Sequence, residues 1–163
     1  MTVAIDGNGS ITGLLSSGPA FRAYRAAALT GVTEDANLLM PFDAVTFDRT
    51  GAFSVGTSRF TPQVAGLYQV NWRLMFNSPG GNILNAVAVL RMNGETLASG
   101  SQAVFTAGAG ATFWGSVGSD IVSFNGSTDY LEVWLYCDVT AGTVTIQSGS
   151  PSSYFSASRV PNQ

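Results

Sequence analysis

The chain has 163 residues, a formal net charge of −3 and only 10% charged residues. Its cations are all arginine, with no lysine and no histidine, which excludes lysine Schiff-base chemistry, histidine general-base chemistry and histidine metal ligation together. A mildly acidic chain is also poorly suited to neutralising phosphates, so nucleic acid is not expected as a partner.

The length fits one domain that buries roughly 70% of its unfolded surface without needing disulfides. The single cysteine, Cys137, stands in an apolar alternation with Leu131, Val133 and Leu135 and reads as a core filler. No apolar run is long enough to span a membrane. The opening MTVAIDGNGS lacks both the basic segment and the apolar core of a signal peptide.

Residues 1–18 are rich in glycine (Gly7, Gly9, Gly13, Gly18) and form an N-terminal arm, with residues 19–163 as the folded domain. Ile5, Ile11, Leu14 and Leu15 are apolar enough to dock the arm on a neighbour; a loose leader is the alternative. Pro19 opens PAFRAYRAAA, where the alanines suggest helix but the proline and aromatic alternation favour a strand. TGVTEDAN (30–37) reads as a polar loop. LLMPFDAVTFD follows as an irregular extended run anchored by Phe42, Val45 and Phe47. A turn at Arg49–Gly51 precedes a short strand pair in GAFSVGTSRF, turning at Gly56–Ser58.

The segment RFTPQVAGLYQVNWRLMF (59–76) organises the rest. Tyr68, Val70, Trp72, Leu74 and Phe76 share one face, while Leu67, Gln69, Asn71, Arg73 and Met75 share the other. This is the period of a strand with one side on a core. Pro79-Gly80-Gly81 marks a turn, ILNAVAVLRM a strand, and Asn93-Gly94 a hairpin. A small-residue loop, TAGAGA, follows. Then comes ATFWGSVGSDIVSF, read as a strand interrupted by Gly115 and Gly118. Asn125-Gly126 turns into YLEVWLYCDV, and AGTVTIQSG and SYFSASRV end the pattern. Eight to ten short strands with turn signals about every ten residues, and no convincing helix, predict an all-β sandwich of the jelly-roll type. The expected core includes Phe60, Tyr68, Val70, Trp72, Leu74, Leu131, Val133, Leu135 and Phe155.

Five segments in the right order resemble the globular head domain of complement one-q, whose jelly roll is shared with the tumour necrosis factor (TNF) superfamily. Phe60-Thr61, Pro62, Gly66 and Tyr68 look like the family's FTxPxxGxY region. Pro19–Arg25 is similar to its opening strand, Pro41–Phe53 to the region before the central motif, Phe124–Tyr136 to its leucine-rich strand, and Ser153–Val160 to its closing SxFxGxLL. Pro62 lies one place early, Thr128 replaces a glycine before Asp129, and Ala157 replaces the closing glycine. These departures mark a remote relative of the kind found in bacteriophage virion proteins, and the missing collagen-like G-X-Y repeat points away from the secreted vertebrate members.

The resemblance implies a homotrimer. The alternation in YLEVWLYC independently leaves Tyr130, Trp134 and Tyr136 on a face opposite the core, where exposed aromatics mark an interface; burial under a loop is the alternative. Tyr130, Trp134, Tyr136, Arg73 and Met75 are therefore the expected trimer interface, with Arg73 paired to Glu132 of the same or the next chain. Glu34 and Asp35, Asp43 and Asp48, and Asp120 and Asp129 are the carboxylate groupings, and nothing in the pattern places any of them in a cleft. No catalytic residue, metal ligand or cofactor is expected. Calcium, bound in the resembled family, stays open but without EF-hand-type spacing.

The functional expectation is a non-enzymatic, homotrimeric phage virion protein on the particle surface: capsid decoration, head fibre or tail-fibre element. Its partners would be other virion proteins through the arm and host glycans in host attachment, with no membrane insertion. A secreted lectin-like module and a polysaccharide depolymerase are the alternatives.

Overall fold

The fold is described from a computed structural model, which covers residues 4–5, 11–12, 18–32, 34–79, 83–106 and 108–161. In chain order the strands among these are β1 (Ala4–Ile5), β2 (Ile11–Thr12), β3 (Ala20–Tyr24), β4 (Leu29–Val32), β5 (Leu38–Leu39), β6 (Ala44–Asp48), β7 (Phe53–Ser54) and β8 (Arg59–Phe60). They continue with β9 (Gly66–Asn77), β10 (Ile83–Met92), β11 (Glu95–Ser99), β12 (Ala103–Val104), β13 (Phe113–Phe124), β14 (Leu131–Val139), β15 (Val144–Ile146) and β16 (Tyr154–Arg159). No helix occurs among the described residues.

The strands make two seven-stranded antiparallel sheets facing each other across one core. The first runs β11-β10-β14-β8-β7, with β12 also on β10 and β5 also on β14. The second runs β4-β15-β9-β16-β3-β6, with β13 along the other side of β9. This is the all-β jelly-roll sandwich that the alternation predicts.

Alternation decides which atoms meet. The even residues of β9 from Tyr68 to Phe76 and the odd residues of β14 from Leu131 to Cys137 are completely buried, because each strand points successive side chains to opposite faces. All nine residues expected in the core have no exposed surface. Phe21 packs its ring against Phe60 at 4.4 Å, Phe53 at 4.9 Å and, edge-on, Phe155 at 4.9 Å. Trp72 sits between the sheets, and its Nε1 donates to the Ala88 carbonyl of β10 at 3.2 Å. Burying an indole with its one polar atom satisfied avoids the cost of an unpaired donor. Tyr68 solves the same problem by donating its hydroxyl to the Val64 carbonyl at 2.8 Å.

Three expectations need correcting. Gly115 and Gly118 do not interrupt their strand: β13 pairs with β9 through twelve consecutive positions. Gly118 lies directly against the Trp72 indole, so a Cβ there would fall 2.0 Å from Cζ2; the glycine makes room for the ring. The polar stretch 30–37 is not all loop, because Leu29–Val32 forms β4, with Val32 opposite Val144 and Leu29 opposite Ile146. Its apolar ends are what pair it to β15. Phe47 is not an anchor: it stands opposite Arg22 beside a bulge in the β3–β6 pairing and is 46% exposed.

The Asn93-Gly94 hairpin forms as expected, with φ of 54° and 90° joining Met92 to Glu95, the positive-φ pair that a two-residue turn requires. In the arm, Ala4–Ile5 pairs with Ile11–Thr12 in a sheet of its own, a pairing the sequence reading did not assign. Leu14 and Leu15 lie outside the described residues, as do Gly80 and Gly81 of the expected turn.

Candidate functional site

The surfaces that carry the functional reading are the two outer faces of the sandwich. Tyr130, Glu132, Trp134 and Tyr136 leave the core on the β14 side. The register sets Arg91 of β10 opposite Glu132 on one flank. Phe60 opposite Leu131 brings Arg59 of β8 alongside on the other. The five polar and aromatic groups close on one another. Arg59 Nε donates to Glu132 Oε1 at 2.7 Å, and Trp134 Nε1 donates to Oε2 at 2.9 Å. The Arg59 guanidinium stacks over the Tyr130 ring at 4.1 Å and that of Arg91 over Trp134 at 4.2 Å.

Glu132, although outward in phase, is only 2% exposed under this cover. Its hydrogen bond raises the Arg59 pKa above the ordinary value, against the opposing effect of desolvation. Further along the strand, Tyr136 donates to Asp35 Oδ1 at 2.8 Å, and that bond is the main reason its phenol pKa is raised. Tyr130, Trp134 and Tyr136 are thus half-buried by their own chain.

Arg73 and Met75 are not neighbours of this cluster. They are odd residues of β9, whose even residues fill the core, so they point away from the molecule on the opposite side. Arg73 stands opposite Val117 of β13 and Tyr154 of β16, and the expected pairing with Glu132 is taken by Arg59. The five residues expected as one interface are therefore split between two faces.

The β9 side is built differently. Along β13 its outward row carries Phe113, Val117 and Ile121, which are 58%, 48% and 57% exposed, and Leu67 of β9 beside them is 48% exposed. Arg73 Nε and Asn77 Oδ1, on the same outward row of β9, are buried without a hydrogen-bond partner. The sequence held a signal for this stripe, since Phe113, Val117 and Ile121 share one parity. Reading the strand as broken at its glycines hid it.

Asp43, Asp48 and Asp129 do structural work in turns. Asp43 pairs with Arg25 at 3.1 Å and accepts the Ala26 and Ala27 N–H groups. Asp48 accepts from the backbone of Thr50, Ala52 and Phe53, and Asp129 from Asn93 Nδ2 and the Asn125 N–H. Asp120 accepts the N–H of Ile121. Among the described residues no three acidic or cysteine side chains converge as metal ligands. Cys137 is fully buried, and burial, reinforced by Glu34, Asp138 and Asp35, pushes its thiol up to about 11.

No family model matches the sequence, and none of the curated proteins matches it. Solved structures do match the fold. Eiger TNF from S. frugiperda aligns with a TM-score of 0.59 and 14% identity, over 90% of this chain and 95% of that one. Murine APRIL at pH 8.5 aligns with 0.58 and 9%, over 87% and 98%. The globular domain of zebrafish complement 1qA aligns with 0.56 and 14%, over 90% and 99%. The chain has the jelly-roll fold common to TNF and complement one-q globular domains.

Proposed function

We propose that the chain is a non-enzymatic structural protein that assembles as a homotrimer through the outer face of the β9 sheet. The trimer stands on the surface of a bacteriophage particle, as capsid decoration, head fibre or tail-fibre element, and contributes to host attachment. The observation that carries the assembly is the bare apolar row of Phe113, Val117 and Ile121, set beside the unpartnered atoms of Arg73 and Asn77. Further copies of the chain are the occupant that this face fits. It is continuous across β13, β9, β16 and β3, and each apolar side chain it hides contributes about 1.5–3 kcal/mol by area, before association costs.

The absence of lysine and histidine, together with the use of Asp43, Asp48 and Asp129 as turn acceptors, supports a role without catalysis. The placement on a particle rests on the sequence pattern: a complement one-q-like motif order whose departures at Pro62, Thr128 and Ala157 are those of a remote relative. Native mass spectrometry of the purified chain should give three times its 17.0 kDa mass. Proteomics of purified particles should then find it at a fixed copy number that is a multiple of three. A monomer in the first measurement defeats the assembly; absence from particles in the second defeats the virion role alone.

A further inference from the structure

We infer that Arg73 is the centre of an anion-binding site on the outer face of the β9 sheet, taking a small oxyanion of the phosphate or sulfate class where copies of the chain meet. The inference rests on the trimer reading for its setting and on three observations for its chemistry.

The first is that this face carries cations without acids. Its outward positions on β3, β9, β13 and β16 include Arg22 and Arg73 and no Asp or Glu, although the chain as a whole is acidic. Asp120 of β13 lies in the other phase of its strand and folds back on the Ile121 N–H at 2.7 Å.

The second is that the two arginines are treated unequally. Arg22 is satisfied: it stacks on Tyr154 at 3.8 Å and donates to Ser150 through Nε and Nη2. Arg73 enters no ion pair and no side-chain hydrogen bond among the described residues, and its Nε is buried without an acceptor. A half-buried guanidinium left in this condition calls for a counter-charge. Its planar fork of donors matches an oxyanion better than any neutral acceptor.

The third is position. The guanidinium lies over Gly115, where a Cβ would sit 3.6 Å from Met75 Cε, 3.8 Å from Nη2 and 3.9 Å from Nε, so the cation is held against β13 on the outer face. Around a threefold axis, three such cations on acid-free faces repel one another unless an anion is drawn in.

The test titrates inorganic phosphate into the full chain by calorimetry at constant ionic strength, with sedimentation of the same samples. Wild type should bind saturably, and its melting temperature should rise with phosphate as mass action requires. Arg73→Gln should weaken binding at least tenfold, and Arg73→Lys should retain part of it, as a point charge without the fork. A general salting effect would raise the melting temperatures of wild type and Arg73→Gln equally. That result, or equal calorimetric binding in both, overturns the site. A trimer in which phosphate binding does not depend on Arg73 leaves the assembly standing and removes the anion. A monomer that binds phosphate through Arg73 does the reverse. Matching near-ultraviolet circular dichroism of the variants establishes that loss of binding is not loss of fold.

Discussion

The two outer faces of the sandwich carry similar kinds of residues and treat them in opposite ways. On the β14 side, aromatic rings receive arginines from both neighbouring strands, and Glu132 ties Arg59 and Trp134 together. On the β9 side, Phe113, Val117 and Ile121 are left 58%, 48% and 57% exposed, and Arg73 Nε has no acceptor. Aromatic content alone therefore misidentifies the face left for a partner. What distinguishes the faces is how far the chain completes its own contacts. Arg91 Nε is also buried without an acceptor, but its guanidinium stacks on Trp134, and the more complete cluster gains less from a second copy than one that can add both area and hydrogen bonds.

The comparison can be broken most severely through the core that both faces share. Gly118→Val should force the Trp72 indole out of place, and Trp72→Ala should cost about 3–5 kcal/mol, the range for deleting a buried aromatic. Chemical denaturation measures both, and a loss under about 1 kcal/mol would mean that the sheets do not close on Trp72. Next in size is the capped face. Glu132→Ala removes the acceptor of both Arg59 and Trp134, and should cost about 1–3 kcal/mol while leaving the assembly state unchanged.

A third effect, comparable in size to the second and confined to high pH, is a slope with pH. The Cys137 thiol is pushed from 9.0 up to about 11 by burial, so the folded state holds its proton after the unfolded chain has lost it. The stabilisation is complete below about pH 9 and is lost as pH rises to about 11, an amount of roughly 2–3 kcal/mol. Tyr68, its pKa raised by burial against the opposing charge of Arg159, adds a loss of the same sign. Cys137→Ala should flatten the fall in unfolding free energy between those pH values. An unchanged slope would assign the whole dependence to tyrosines.

Much of the fold was legible in the sequence because period-two alternation reports directly on burial. The rows through Trp72 and Leu135 fix two central strands, and the Asn93-Gly94 turn fixes β11 as a neighbour of β10. Contacts that depend on register between distant strands were not legible. Nothing local says that Gly118 faces Trp72, 46 residues earlier in the chain, so the glycine looked like a break. Nothing local says that Arg59 reaches Glu132 before Arg73 can, because that is decided by β8, not β9, lying beside β14. The candidate interface was half-read for this reason: parity showed which side chains leave the core, but not which sheet they leave from.

The most direct test of the account is sedimentation of the wild type beside two single variants, Val117→Asp and Trp134→Asp, at micromolar concentration. The uncapped face predicts a trimeric wild type, a Val117→Asp variant that falls to folded monomer, and a Trp134→Asp variant that loses stability but remains trimeric while folded. A monomeric wild type, or a trimer that survives Val117→Asp and dissociates with Trp134→Asp, would contradict it.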